Sequence, residues 1–422
     1  MDKRVQQLID FTKSKFGLNN YYLQQYHFYR NVNIFNKTIY TLCMDWFPNH
    51  TVQDDDGLNP DGTAIIEINM ENRKFERVIF VAGKNYAENG LVFNTPNTED
   101  IIKWIEKETE LTYGEQFRLE REETGELLFM ANIDGIAVSP PGYIDIKFNP
   151  EGKLTLFSIN GQFPLKELIK EEKYALSLTK LEHLQKEQLK LIEFPSYEHK
   201  KLHSIYAIEE IFVTNDSITT IPFEVFAAES YFLEIDQAIY WNEPINIPFE
   251  RKEINWIKDF TAEQAFSCEP SSDSFPIAAI EQEKCIMAVT NFLRQEYPNE
   301  SGNWILKHFY RDKEYIQATL VANTQSYRVF QRKIKVMIDP ESWQVANYMD
   351  NKPMLETFDH FQIPAQITIT KEEAYEKLTS LFELKPYYVY DFKQNKYILC
   401  GKLDCQYGVN ASSGEVIALD DL

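Results

Sequence analysis

The sequence predicts an α+β protein of tandem small modules, each a helix followed by an antiparallel β-meander. Three observations lead there. Aromatic residues make up 14% of the 422 residues, with 24 Tyr and 29 Phe, a composition suited to half-buried pleated surfaces. Short apolar stripes at helical spacing recur along the chain, several behind a capping residue. After each stripe come strand-like runs parted by Asn, Pro, Gly and Ser turns.

The first module, 1–94, opens on Asp2 as N-cap, with Val5, Leu8, Ile9 and Phe16 at helical spacing and Gly17 as the stop. Strands are expected at Tyr21–Arg30, Lys37–Phe47, Thr63–Met70 and Phe75–Val81, around a polar loop at Pro48–Gly62. The second, 95–165, begins with Thr98 as cap, and Glu99 and Asp100 complement the helix dipole. Strands follow at Gln116–Glu122, Leu127–Val138, Tyr143–Phe148 and Leu154–Ile159, with a turn at Asn149-Pro150-Glu151-Gly152.

A shorter module, 166–241, starts at Thr179-Lys180-Leu181-Glu182, a capping-box pattern. Its strands are expected at Leu202–Val213 and Ile218–Phe226. Residues 242–277 read as a connector whose middle is pinned by Trp256 and Phe260. A fourth module, 278–355, carries a helix with Ile286, Val289, Phe292 and Leu293, then strands at Trp304–Tyr310, Tyr315–Ala322, Tyr327–Ile338 and Trp343–Tyr348. The closing module, 356–422, has a second capping box at Thr370-Lys371-Glu372-Glu373 and an apolar stripe of Ala374, Leu378, Leu381 and Phe382. One helix cannot cover both faces of a sheet, so neighbouring modules must pack together or leave a face open.

The closing module carries a resemblance. Thr370-Lys371-Glu372-Glu373-Ala374 opens a helix, a Tyr-rich strand follows at Tyr387–Phe392, a paired strand at Tyr397-Ile398-Leu399, and then Val409-Asn410-Ala411-Ser412-Ser413-Gly414-Glu415-Val416. This resembles the YcdB/YcdC repeat, a relative of the PepSY domains. Asn410 stands where that repeat more often has Asp, and Ser413 where it more often has Thr. Ile338-Asp339-Pro340-Glu341-Ser342-Trp343-Gln344-Val345 is a looser version of the same hairpin. The resemblance implies α+β modules associated with cell-envelope proteins and with protease inhibition or regulation. It carries no catalytic residues over to this chain.

A net charge of −22 and a pI near 4.8 repel phosphate backbones, which argues against nucleic-acid and anionic-membrane partners. No run approaches the roughly 18 apolar residues that span a bilayer, and the first residues lack the apolar stretch of a signal peptide. Five scattered cysteines do not make a disulfide framework and fit a reducing compartment. The expectation is a cytoplasmic protein.

Three constellations invite chemistry, and each has a plainer reading. Asp54-Asp55-Asp56-Gly57-Leu58-Asn59-Pro60-Asp61-Gly62 gathers oxygen ligands for a cation but misses EF-hand spacing, so a solvated hairpin loop is preferred. His199 and His203 are four apart without the Glu of a zincin motif, and they follow Pro195 at a helix-to-strand junction. Cys400 and Cys405 match neither redox nor zinc-ribbon spacing and read as buried small residues. No nucleophile elbow, phosphate loop or dinucleotide fingerprint is present. The sequence therefore assigns no catalytic, cofactor-binding or metal residues and no cofactor. It favours a non-enzymatic, regulatory binder of a protein or peptide, with open sheet edges available for strand addition. The alternatives are a hydrolase whose site assembles from several modules and a packing role in a larger assembly.

Overall fold

The computed structural model describes residues 1–422 apart from 52–56, 94–96, 223–231, 255, 257, 325–327 and 393. The chain divides into two compact units. The first comprises Met1–Glu171, Ile257–Ser271 and Tyr387–Ile398; the second comprises Glu172–Trp256, Ser272–Pro386 and Leu399–Leu422.

In the first unit, helix α1 (Lys3–Lys15) is capped by the Asp2 side chain, which accepts from the Arg4 amide. Gly17 ends it in the left-handed region at φ 64°, where a Cβ would run into the Glu88 carbonyl. Strands β1 (Tyr21–Val32), β2 (Thr38–Pro48), β3 (Ala64–Asn69) and β4 (Phe75–Phe80) follow. Helix α2 (Thr98–Thr109) takes its cap from Asn97, one residue before the Thr98 expected. Then come β5 (Phe117–Glu123), β6 (Glu126–Ile133), β7 (Ile136–Ser139), β8 (Tyr143–Phe148) and β9 (Leu154–Asn160). The single strand expected at Leu127–Val138 is two, β6 and β7, because Asp134 and Gly135 turn the chain with positive φ.

These strands run in the order β1-β2-β3-β4-β9-β8-β6-β7, with β5 also on β6. Here the predicted fold class fails. The expected tandem modules would each close on their own meander. Instead β4 pairs with β9, placing Arg77, Val78 and Ile79 opposite Ser158, Phe157 and Leu156. A meander that ends alone leaves a row of unpaired amides and carbonyls along its last strand, and joining two meanders satisfies both rows. β7 also pairs in parallel with Tyr387–Val389, a connection between strands far apart in sequence. The result is a mostly β protein, 40% strand and 23% helix, with, among the described residues, one mixed sheet of 13 strands and antiparallel sheets of 4 and 5.

One face of the first unit's sheet is its core. Leu42, Met44, Ile66 and Val78 pack there with Val5 and Ile9 of α1 and Ile101 and Ile105 of α2. Within 257–271, Ala265 is fully buried in that core, and the Tyr40 hydroxyl donates to the Glu269 carbonyl at 3.0 Å. Phe260 lies edge-on to Tyr40 with Arg30 over its ring. Trp256, in the second unit, is 45% exposed and carries Lys313 over its ring.

The second unit contains β10 (Leu189–Ser196), β11 (Lys201–Ile208), β12 (Ile211–Thr214), β13 (Thr220–Pro222), β14 (Leu233–Ile239), β15 (Trp304–Asp312), β16 (Tyr315–Ala322), β17 (Lys333–Asp339) and β18 (Gln344–Asp350). β14 to β18 form an antiparallel sheet in chain order. The helix Ala279–Glu296 covers it through Cys285, Val289, Phe292 and Leu293. β19 (Glu383–Asp391), β20 (Lys396–Asp404), β21 (Tyr407–Asn410) and β22 (Val416–Ala418) close the chain. The expected strand at Leu202–Val213 is split: β11 pairs with β10 and β21, whereas β12 pairs with β13 and β20. Parts of the strands expected at Ile218–Phe226 and Tyr327–Ile338 lie outside the described residues. The Thr370 capping box forms as expected, with both reciprocal bonds present. The one expected at Thr179 does not, because Leu178–Leu181 winds as a tight 3-10 turn without a side-chain cap.

Candidate functional site

Alternation along a strand sends successive side chains to opposite faces, and in the first unit it sorts the sheet into an apolar face and a polar one. On β2, Leu42, Met44 and Trp46 enter the core, while Thr41, Cys43 and Asp45 face the other way. Register carries the polar face across the sheet as a transverse row. His27 lies opposite Cys43, Cys43 opposite Glu67, Glu67 opposite Arg77, Arg77 opposite Ser158, and Ser158 opposite Asp145.

Parts of this polar face are well buried: Cys43 is 3% exposed, Ser158 8%, and Asp45, beside the row on β2, 7%. Burial raises the Glu67 carboxyl above the usual carboxylate range, an effect opposed by Arg77, which donates to it at 3.3 Å. Burial likewise raises Asp145, whose Oδ1 has no hydrogen-bond partner among the described residues. The Cys43 thiol is pushed far upward, first by burial and then by Asp45, so it stays protonated and is no nucleophile. Asp45 accepts from the Gln25 amide at 2.7 Å and makes a long contact of 3.9 Å with the Cys43 sulfur. This face is built to accept hydrogen bonds and positive charge.

β1 borders the face and is the terminal strand in the order of its sheet. Among the described residues nothing pairs with its outer edge. It is twelve residues long and carries one fixed charge, Arg30. A bulge at Gln24 resets its alternation, so Gln25, His27 and Tyr29 share the polar face with Asp45, Cys43 and Thr41. Among the described residues β5 pairs only with β6, and five of its seven residues are charged: Arg118, Glu120, Arg121, Glu122 and Glu123. Charged side chains are the ordinary means of keeping an edge from pairing. β5 is guarded in that way and β1 is not.

A separate hollow of about 380 Å³ lies between Asn85–Val92 and Lys153. Part of its wall is already committed, since the Asn85 amide donates to the Leu154 carbonyl and the Glu88 amide to the Gly17 carbonyl.

The residues singled out in the sequence do not converge. Of the loop Asp54–Asp61, residues 54–56 lie outside the described ones, and Asp61 pairs with Lys84 at 2.6 Å. His199 sits in the turn after β10 and His203 on β11, so their spacing is not helical; burial, then Lys201 and His199, lower His203. Cys400 and Cys405 are buried and are not joined in a disulfide. Among the described residues no group of three or more His, Cys, Asp or Glu is placed to hold a metal ion, and no helix is long and apolar enough to cross a membrane. Sequence reasoning missed the row and the edge. The available signal was the absence of any acidic residue between Asp10 and Asp45 in a chain holding 65 of them.

No family model and no curated protein matches this chain. Among solved structures it is similar to the Bacillus megaterium YpeB C-terminal domain, at 6% identity and a TM-score of 0.23, over 83% of this chain and 97% of that one. At that TM-score the likeness assigns no role.

Proposed function

We propose that this chain is a non-enzymatic protein- or peptide-binding protein, regulatory through what it captures, that takes up an extended segment along the β1 edge. The carrying observation is the edge itself: twelve residues, one fixed charge, and no pairing partner among the described residues. Strand addition draws affinity from main-chain hydrogen bonds and specificity from alternate side chains. The partly exposed Tyr22 and Tyr29 offer ring surface to such a segment on the polar face.

The test is to select binders from a library of extended peptides and to follow amide hydrogen exchange in the complex. Binders should slow exchange across Tyr21–Val32. Adjacent amides on a strand point to opposite edges, so one of the single variants Gln25→Pro and Tyr26→Pro removes an outward amide. That variant should abolish binding while keeping the fold. If the selected peptides protect a different segment and both proline variants bind them normally, the reading fails.

A further inference from the structure

We infer that the segment added along β1 carries a lysine or arginine opposite Gln25, and that Asp45 receives its charge. This rests on the strand-addition reading. Asp45 is 7% exposed, yet among the described residues no Lys, Arg or His lies within ion-pair distance of it. Its neighbours are a neutral amide at 2.7 Å and a thiol at 3.9 Å. A buried carboxylate without a cation is costly, and proteins ordinarily pair such groups. Glu67, one strand further in, already has Arg77. Asp45 is therefore the acceptor bordering β1 that, among the described residues, lacks a charge partner.

Its position relative to the edge selects the ligand. Gln25 stands directly between Asp45 and the outer side of β1. A strand docked on β1 would run about 4.8 Å beyond it, so one side chain on the polar face would point across Gln25 toward the carboxylate. The four-carbon stem of lysine, or the fork of arginine, bridges one strand spacing and ends in the charge Asp45 lacks. The Gln25 amide, which now donates to Oδ2, would yield to or share with that cation. The side chains two residues to either side on this face would meet Tyr22 and His27.

Three synthetic twelve-residue peptides alternating Thr and Val test this, with Lys, Gln or Glu at one central Thr position. Their affinities for the full chain are measured by fluorescence anisotropy at physiological ionic strength. The Lys peptide should bind about tenfold more tightly than the Gln peptide. Asp45→Asn should bring the two within about threefold without weakening the Gln peptide. Gln25→Lys should do the same by supplying the cation from β1 itself, and as an exposed substitution it guards against a folding failure of Asp45→Asn. Equal binding of the Lys and Gln peptides to the native chain, with protection of β1, overturns the inference and leaves strand addition standing. A Lys preference that survives both variants belongs to the general negative field and also overturns it. If no peptide binds and β1 stays unprotected, strand addition falls and the inference with it.

Discussion

Cys43, Cys285 and Cys405 are thiols that burial has switched off. Burial pushes Cys285 up to about 12 and moves Cys43 and Cys405 in the same direction. The thiolate is the reactive form, so native-state alkylation should label the partly exposed Cys268 well before the other four. Mass spectrometry showing Cys43 modified at the same rate would contradict the burial described. His308 makes a second residue-scale prediction. Its ring packs on Phe232, and burial, followed by Lys335, Lys307 and Lys333, lowers it to about 4. The unfolded chain therefore binds a proton that the folded one refuses between about pH 6.5 and 4. Stability from this group is present above about pH 6.5 and is lost as pH falls through that window, by about 1–2 kcal/mol after allowance for solvent screening. Melting curves of His308→Gln should flatten there relative to the native chain. At this scale the sequence was partly legible. The acid-free stretch before Asp45 can be read directly, but the face Asp45 occupies depends on the Gln24 bulge and the β1–β2 register.

Elements whose signals are local came out close to expectation. Thr370 and Glu373 satisfy each other's backbone amides, and the helix Lys371–Leu378 starts where the pattern says. Thr370→Ala should cost about 1 kcal/mol in a denaturant titration. The turn at Asn410–Gly414 is equally local: the Asn410 side chain accepts from the amides of Ser412 and Ser413. Gly414 closes it at φ 72°, where a Cβ would sit 2.8 Å from Ile369. Gly414→Ala should therefore destabilise by about 1–2 kcal/mol, and an unchanged midpoint would show that the turn relaxes freely. Pairings between distant elements were illegible. Nothing in Phe75–Phe80 announces Leu154–Asn160 as its neighbour, because both are ordinary alternating strands and each would fit any matching edge. Capping chemistry is written in four consecutive residues. Sheet order is settled by which of many compatible edges meet in the folded core.

For the whole molecule, a charge of −22 keeps copies apart and draws basic segments in. Capture of a lysine-bearing peptide should accordingly slow with added salt, chiefly through the association rate, which stopped-flow mixing at several ionic strengths would measure. Near pH 4.8 that mutual repulsion vanishes while the β1 edge stays unguarded. Light scattering should rise there, and Tyr29→Lys, a charge of the kind β5 already carries, should suppress it. Identical scattering from both proteins would place the sticky surface elsewhere.

The first unit's composition sets a timetable for its birth. It needs Ile257–Ser271 for its core and Tyr387–Ile398 beside β7, yet the bulk of it ends at Glu171. At bacterial and eukaryotic translation rates the 171-residue portion waits roughly 10–40 s before residue 387 is made. Through that interval β7 lacks its parallel neighbour, and for roughly the first two-fifths of it Ala265 has not been made. A nascent chain stalled at residue 380 should therefore be protease-sensitive in a segment that the finished protein protects, and a chaperone that shields strand edges would have its work concentrated in those seconds.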